Sequence, residues 1–313
     1  MNIVVAGGTG FIGQALCAAL LHSGHRVSLL TRHAGQVLPQ PDAHVKVAEW
    51  NARDTGPWEE LLEGADAVIN LAGAPIADAR WTDERKRLLT ESRVLTTRLL
   101  VRALSRASSK PRVFMSASGI GYYGASDDRL LDEGAVRGTG FLADLCLAWE
   151  AEAMRAAELR TRVVILRTGM VLEADGGALA KMLLPFKLFA GGPIMPGSQW
   201  VSWIHRSDHI GLIQWALTTT TVCGPINAVA PEPVRMNTFC DVLGQAMHRP
   251  SWLPVPGIAL NILLGELGTL MTTGQRVIPK KAMAGGYAFR YPTLDSAFQS
   301  IFRDTASIRQ VTA

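Results

Sequence analysis

The chain opens MNIVVAGGTGFIGQAL, residues 1–16, and this stretch decides the fold. Ile3–Ala6 is a short apolar run of the kind that forms a buried parallel strand. It runs directly into Gly7-Gly8-Thr9-Gly10-Phe11-Ile12-Gly13, and a helical apolar pattern through Leu16, Ala19 and Leu20 follows. Gly7 permits a tight turn, Gly10 lets backbone approach a pyrophosphate, and Gly13 lets the helix pack close to the strand. The N-terminus of that helix then offers free N–H groups to phosphates. A glycine-rich turn alone is weak evidence; between a strand and a helix it predicts a dinucleotide-binding loop.

Strands and helices continue to alternate beyond this point. Arg26–Leu30, Val45–Glu49, Ala67–Leu71, Val113–Ser116 and Arg162–Leu166 read as strands two to six. A long helical pattern spans Thr82–Ser105, with Leu88, Leu89, Leu95, Leu99, Leu100 and Leu104 on one face. A second spans Gly140–Leu159, with Glu150, Glu152 and Arg155 turned outward. Such alternation predicts an α/β, Rossmann-type, doubly wound parallel sheet. After Thr168 the pattern gives way to Gly176-Gly177, Gly191-Gly192-Pro193 and Pro196-Gly197, then resumes as strand-to-helix over Trp203–Leu217 and a strand at Gly224–Val229. The expected organisation is a Rossmann domain from residues 1–168 and 201–229. A smaller discontinuous lobe, residues 169–200 and 230–313, is expected to sit over the carboxyl ends of the strands, where open α/β sheets bind ligands.

Composition excludes several classes. Of 313 residues 48% are hydrophobic and 19% charged, as in an ordinary globular protein. The net charge of +4 is spread without a basic block, which argues against nucleic acid as a partner. Lys181 and Lys187 interrupt the best apolar run, and no signal peptide precedes the first strand, so no membrane association and a cytoplasmic location are expected. Cys17, Cys146, Cys223 and Cys240 form no C-x-x-C pair and read as buried free thiols; no cluster suggests a metal site.

Strand two ends Leu29-Leu30-Thr31-Arg32-His33, without the carboxylate that would hold the 2′-hydroxyl of NAD. Arg32 supplies a fork suited to a 2′-phosphate, with Thr31 and His33 as further donors. The expected cofactor is NADP(H), ahead of NAD(H), although Arg32 also reads as a plain surface arginine. Asn70 ends a central strand, where its amide can order the loop beside the adenine-ribose. Ala72 and Gly73 keep that loop thin.

Gly7-x-x-Gly10-x-x-Gly13, Asn70-Leu71-Ala72-Gly73, Ser116-Ala117-Ser118, Leu166-Arg167-Thr168-Gly169 and Trp203-Ile204-His205-x-x-Asp208 resemble the extended short-chain dehydrogenase/reductases. Arg80-Trp81-Thr82, Glu91-Ser92-Arg93, Gly121-Tyr122-Tyr123-Gly124, Trp149-Glu150 and the tail from Arg249-Pro250 to Ala288-Phe289-Arg290 are similar to an atypical epimerase-family subgroup. Members of that subgroup end in a small domain of unknown function. The resemblance implies a cofactor held by Gly7, Thr9, Gly10, Phe11, Ile12 and Gly13, by Thr31 and Arg32, by Asn70, Leu71, Ala72 and Gly73, and by Ser116 and Ala117.

The resemblance also implies a Tyr-x-x-x-Lys couple one helix after strand five, and here the chain departs from it. Neither Phe141 with Leu145 nor Leu142 with Cys146 can exchange a proton in that way. Ser118, Tyr122 and Tyr123 are the substitute catalytic candidates, either tyrosine serving as proton donor. Two functions stay open: an oxidoreductase or epimerase-like enzyme acting on the carbonyl or alcohol of a small, sugar-nucleotide-like molecule, or a non-catalytic NADP(H)-binding redox sensor or interaction module. Arg93 reads as structural, His205 and Asp208 as a helix cap, and Lys181 and Lys187 as solvated. Trp81, Trp200 and Trp203 are candidates for an apolar substrate pocket. The long helices are where such proteins pair, so a homodimer is a possible state.

Overall fold

The computed structural model describes residues 1–32 and 44–311. In chain order the first half runs β1 (Asn2–Ala6), α1 (Phe11–His22), β2 (Arg26–Thr31), β3 (Val45–Glu49), β4 (Ala67–Asn70), α2 (Asp83–Arg106), β5 (Val113–Gly119), β6 (Leu130–Leu131) and α3 (Phe141–Met154). Then follow β7 (Arg162–Thr168), β8 (Met170–Leu172), α4 (Gly177–Lys187), β9 (Trp200–Val201), β10 (Trp203–His205), α5 (Arg206–Thr218) and β11 (Gly224–Ala228). The last part holds β12 (Val234–Arg235), α6 (Met236–Met247), α7 (Gly257–Leu264), α8 (Glu266–Thr272), β13 (Arg276–Val277), α9 (Lys280–Ala284) and α10 (Leu294–Val311).

One seven-stranded sheet, in the order β11-β7-β5-β4-β1-β2-β3 and parallel throughout, forms the frame. The period-two alternation of β1 divides its side chains between two cores. Ile3 and Val5 pack with Leu16 and Leu20 of α1 and Ile213 of α5, whereas Val4 and Ala6 pack with Leu100 and Leu104 of α2. Ala6 is paired with Leu30 on one side and Asn70 on the other, and Asn70 with Ser116. The register therefore brings the loops after β1, β2, β4 and β5 into one row. The strand order reverses between β1 and β4, which makes this row the switch point of the sheet.

A separate apolar core forms where Leu179, Leu183 and Phe186 of α4 meet Phe239 and Leu243 of α6 and Phe298 of α10. Trp203 is fully buried in that core, so it lines no pocket. A further apolar seam joins the last part of the chain to the sheet. Leu264, Leu267 and Leu270 lie against Trp81, Phe141, Leu142, Leu145 and Trp149.

Several sequence expectations are corrected by packing. β5 and β7 run on to Gly119 and Thr168 because they pair with each other beyond the end of β4, Ser118 opposite Arg167. Only part of the α2 leucine face is covered: Leu89, Leu100 and Leu104 are buried, whereas Leu88 and Leu95 are exposed. Glu150 of α3 points inward, not to solvent. Cys223 is exposed, unlike Cys17, Cys146 and Cys240. Among the described residues no helix is long and apolar enough to cross a membrane, and no group of three His, Cys, Asp or Glu side chains is placed to hold a metal.

Candidate functional site

The glycine loop is built by contacts that a side chain would destroy. Gly7 has φ +81°, and a Cβ there would lie 2.7 Å from the Leu71 backbone carbon across the β1–β4 seam. A Cβ on Gly13 would lie 2.2 Å from the Gly7 carbonyl oxygen, which is how closely α1 seats on the turn. Gly10 differs, because its Cβ would meet only the Gly7 oxygen, at 3.4 Å. Space on that side is open, as a ligand backed onto the loop requires. The first intrahelical bond of α1 runs from Gln14 N to Gly10 O, and no side chain caps the helix. The N–H groups of Phe11, Ile12 and Gly13 are thus left for an anion.

The neighbouring loop is held from behind. Asn70 Oδ1 accepts from Ala72 N (3.2 Å), and its Nδ2 donates to Thr97 (2.9 Å). Ala74 N donates to Ser92, and Ala74 O accepts from the Arg93 guanidinium (2.8 Å). Burial brings the Arg93 pKa down to about 10, and its guanidinium lies over the Trp149 ring. This arginine is a structural clamp. A Cβ on Gly73 would press within 3.1 Å of it, so Gly73 is small on Arg93's account. Leu71 N continues the sheet by donating to Ala6 O. Thr31 is buried at the end of β2 and Arg32 exposed just past it, while His33 lies outside the described residues. Thr9 is exposed on the turn, and its carbonyl holds the Gln14 amide. Ser116 is fully buried, and Ala117 joins the apolar seam.

On the other side of the sheet's midline the candidates for proton chemistry enter a buried network. Ser118 Oγ donates to Glu150 Oε1 (2.7 Å). The same carboxylate takes a two-pronged pair from Arg167, Nε to Oε1 at 2.9 Å and Nη2 to Oε2 at 2.8 Å. Arg167 Nη1 donates to the Tyr123 hydroxyl (3.0 Å), which donates to Asn227 Oδ1 (2.7 Å). Asn227 Nδ2 in turn donates to Ile278 O. Burial would lower the Arg167 pKa, but the hydrogen-bonded Glu150 carboxylate outweighs it and holds the guanidinium above its usual value. Burial raises the Tyr123 pKa against the opposing pull of Arg167, so this phenol is a poor source of tyrosinate.

These bonds decide which candidates remain available. The single hydroxyl proton of Ser118 is committed to Glu150, and the phenol of Tyr123 both donates and accepts within the network. Tyr122 stands apart. Its half-buried ring lies against the Arg167 guanidinium, 3.5 Å from ring centroid to Cζ, and its hydroxyl has no hydrogen-bond partner among the described residues. Phe141, Leu142 and Leu145 all face the seam with Leu264, Leu267 and Leu270, so the positions where the couple would stand are dry packing. Trp81 belongs to that seam as well, its indole N–H bound to Ile76 O. Lys181 pairs with Asp78 on the surface. Asp208 is fully buried and accepts from the backbone N–H groups of Arg290 and Tyr291, so it pins the C-terminal segment beyond its role in the helix start.

Glu150, Arg167 and Asn227 were not singled out as site residues from the sequence. A signal existed for two of them. Glu150 falls on the stripe Ala143, Cys146, Trp149 and Ala153, which is the buried face of α3. Arg167 interrupts the apolar run Val163–Leu166, where a charge demands a partner.

Comparison with known proteins fits this geometry. The profile of the NAD dependent epimerase/dehydratase family matches residues 3–227, and that of the DUF1731 domain of unknown function matches residues 255–301. The epimerase family protein SDR39U1 homolog of Arabidopsis thaliana, described as chloroplastic, is 41% identical over 309 residues, covering 97% of this chain and 87% of its own. The epimerase family protein YfhF of Bacillus subtilis is 37% identical, covering 98% and 100%. The crystal structure of human epimerase family protein SDR39U1 with NADPH superposes with a TM-score of 0.85 at 34% identity, covering 97% of this chain and 100% of the human one. The chain belongs to the NAD dependent epimerase/dehydratase family, in the branch that carries a C-terminal DUF1731 domain.

Proposed function

We propose that this protein binds NADP(H) at the switch point of its sheet and acts as an NADP(H)-dependent oxidoreductase on a small carbonyl or alcohol. The observation that carries the reading is the uncapped N-terminus of α1 above Gly10, where space is open for a pyrophosphate. The NADPH of the human relative supports the choice of nucleotide. Gly7, Gly10 and Gly13 shape the loop, Thr9, Phe11 and Ile12 line it, and the N–H groups of residues 11–13 face the phosphates. Arg32 takes the 2′-phosphate beside Thr31. Asn70 fixes the thin loop Leu71-Ala72-Gly73 along the adenine-ribose, and Ser116 and Ala117 border the nicotinamide end. The bound nucleotide supplies hydride. Tyr122 is the proton donor in this reading, its ring oriented by Arg167 and its hydroxyl uncommitted. Ser118 and Tyr123 hold the network that supports Arg167 and act as positioning residues.

A second reading has its own observation. The wired Ser118–Glu150–Arg167–Tyr123 network and the apolar seam at Phe141 and Leu145 favour a protein that holds the nucleotide without turning it over.

Titration with NADPH and NADH by tryptophan fluorescence tests the binding. Arg32→Ala is expected to weaken NADPH about tenfold and leave NADH unchanged, the scale of one charge-assisted contact. No saturable response to either nucleotide ends the proposal. A carbonyl screen on wild type and Tyr122→Phe then separates the two readings. Turnover that falls in the variant while NADPH affinity stays constant supports the enzyme, and no turnover of any compound supports the holder.

A further inference from the structure

We infer, resting on the NADP(H) reading just proposed, that residues 173–181 form a strap across the mouth of the nucleotide crevice. The strap is anchored at the glycine loop and latched by Lys181 to the loop after β4. The latch sets how fast a nucleotide enters and leaves.

One short stretch of chain touches both walls of the crevice. The walls are the loop after β1 and the loop after β4, on either side of the reversal in strand order. At the β1 wall the turn into α4 lies on the ring of Phe11, the first residue of α1. A Cβ on Gly176 would lie 2.4 Å from Phe11 Cδ2, and one on Gly177, where φ is +67°, would lie 3.1 Å from Phe11 Cε1. Only glycine lets the chain pass so close to that ring. One turn further along α4, Lys181 Nζ donates to Ala77 O (3.0 Å) and to Asp78 Oδ1 (2.8 Å) in the loop after β4. The strap thus runs from one wall to the other, while Gly10, next to Phe11, keeps open space on its own side.

The two attachments differ in strength, as a gate requires. The β1 end is held several times over. Arg206, at the start of α5, pairs with Glu173 (3.2 Å) and Asp175 (2.7 Å), and its guanidinium lies 5.1 Å from the Phe11 ring centroid. At the β4 end the side chains of Lys181 and Asp78 are 58% and 50% exposed, so their pair is weak and screened by salt. The loop it grips is fixed only at its base. Ala74 is held by Ser92 and Arg93, Pro75 O by Arg85 and Ile76 O by the Trp81 indole, whereas Ala77, Asp78 and Ala79 are exposed. Among the described residues, Lys181 supplies the hydrogen bonds that reach this tip from outside the loop. A weak latch on a firmly anchored strap can open without unfolding either wall.

Stopped-flow fluorescence of the full chain tests the gate, with NADPH binding in one experiment and displacement of bound NADPH by excess NADP⁺ in another. Lys181→Ala and Asp78→Ala are each expected to release NADPH about fivefold faster, the scale of one exposed charge pair. Association is expected to quicken by the same factor, so affinity stays near the wild-type value. The exchanged pair, Lys181→Glu with Asp78→Lys, is expected to restore slow release. If wild type binds NADPH and neither single variant changes its rates, the strap is overturned and the nucleotide reading stands. Faster release alone, without rescue by the exchanged pair, also overturns it, because Lys181 would then be a direct ligand of the nucleotide. If wild type shows no saturable NADPH binding, the nucleotide reading itself falls and the gate falls with it.

Discussion

The two halves of the sheet's carboxyl edge are built in opposite ways. At β1, β2 and β4 the backbone is arranged around open space: Gly10 faces nothing at close range, and the first N–H groups of α1 are uncapped. At β5 and β7 the space is filled by a closed chain of hydrogen bonds from Ser118 through Glu150 and Arg167 to Tyr123 and Asn227. One half is ready to receive a ligand, whereas the other spends its polar groups on itself. A fold that binds a nucleotide is therefore not by that fact a fold that reacts with it, and the two properties answer to different residues.

The sharpest way to break the comparison is to open the closed half. Arg167→Ala leaves the Glu150 carboxylate buried without its partner and is expected to cost about 3–5 kcal/mol of stability, read as a lowered midpoint in chemical denaturation. If the variant is as stable as wild type, the network is ornamental and the closed half is open after all.

Acid provides a second probe of the same half. His209 of α5 is fully buried against Thr168 at the end of β7. Thr168 Oγ1 lies 3.0 Å from His209 Nε2, and Nδ1 has no partner among the described residues. Burial lowers its pKa from 6.5 to about 4. The unfolded chain then binds a proton that the folded one refuses, so stability is complete above pH 6.5 and falls as pH drops toward 4. The slope is about 1.4 kcal/mol per pH unit, or roughly 3 kcal/mol across the window, in denaturation curves taken at successive pH values. His209→Gln is expected to flatten that dependence.

The paired tyrosines sharpen the contrast within one turn. Tyr123→Phe removes a hydroxyl from the network and is expected to cost about 1–3 kcal/mol, because Arg167 and Asn227 lose a buried partner. Tyr122→Phe removes a hydroxyl that nothing described contacts and is expected to shift stability by less than about 0.5 kcal/mol. Thermal melts of the two variants side by side check the difference, and equal losses would place both phenols in the fold. The smallest effect concerns the thiols. Burial pushes Cys17 and Cys240 up to about 12 and raises Cys146 as well, so a thiol reagent at neutral pH is expected to label the exposed Cys223 alone in the folded chain.

How much of this was legible in the sequence follows the same division. The open half was readable because its demands are local. Gly7, Gly10 and Gly13 stand at fixed spacing, and each excludes a Cβ or leaves room for one for a reason that neighbouring backbone sets. Asn70 was readable too, since it acts two residues on, at Ala72. The closed half joins positions 17 to 104 residues apart. Ser118 and the two tyrosines were visible as polar groups after a central strand, but their partners were not. Glu150 was assigned to solvent because glutamate on a helix usually is, and only the pairing of β5 with β7 puts Arg167 where that carboxylate must turn in.

By itself the sequence determined the alternation of strand and helix, the glycine turn and the apolar periodicities of β1 and α2. These are properties of residues a few positions apart and of the backbone angles they permit. It also determined that Phe141 and Leu145 stand where the Tyr-x-x-x-Lys couple would be, since a side chain without an ionisable proton stays so in any fold. Tertiary structure decided the rest. It set which hydroxyl kept its proton free and which tryptophan sank into the core formed with α4, α6 and α10. Such outcomes depend on burial and on partners brought from far along the chain, and hydrogen bonds of that range are fixed only when the sheet register is.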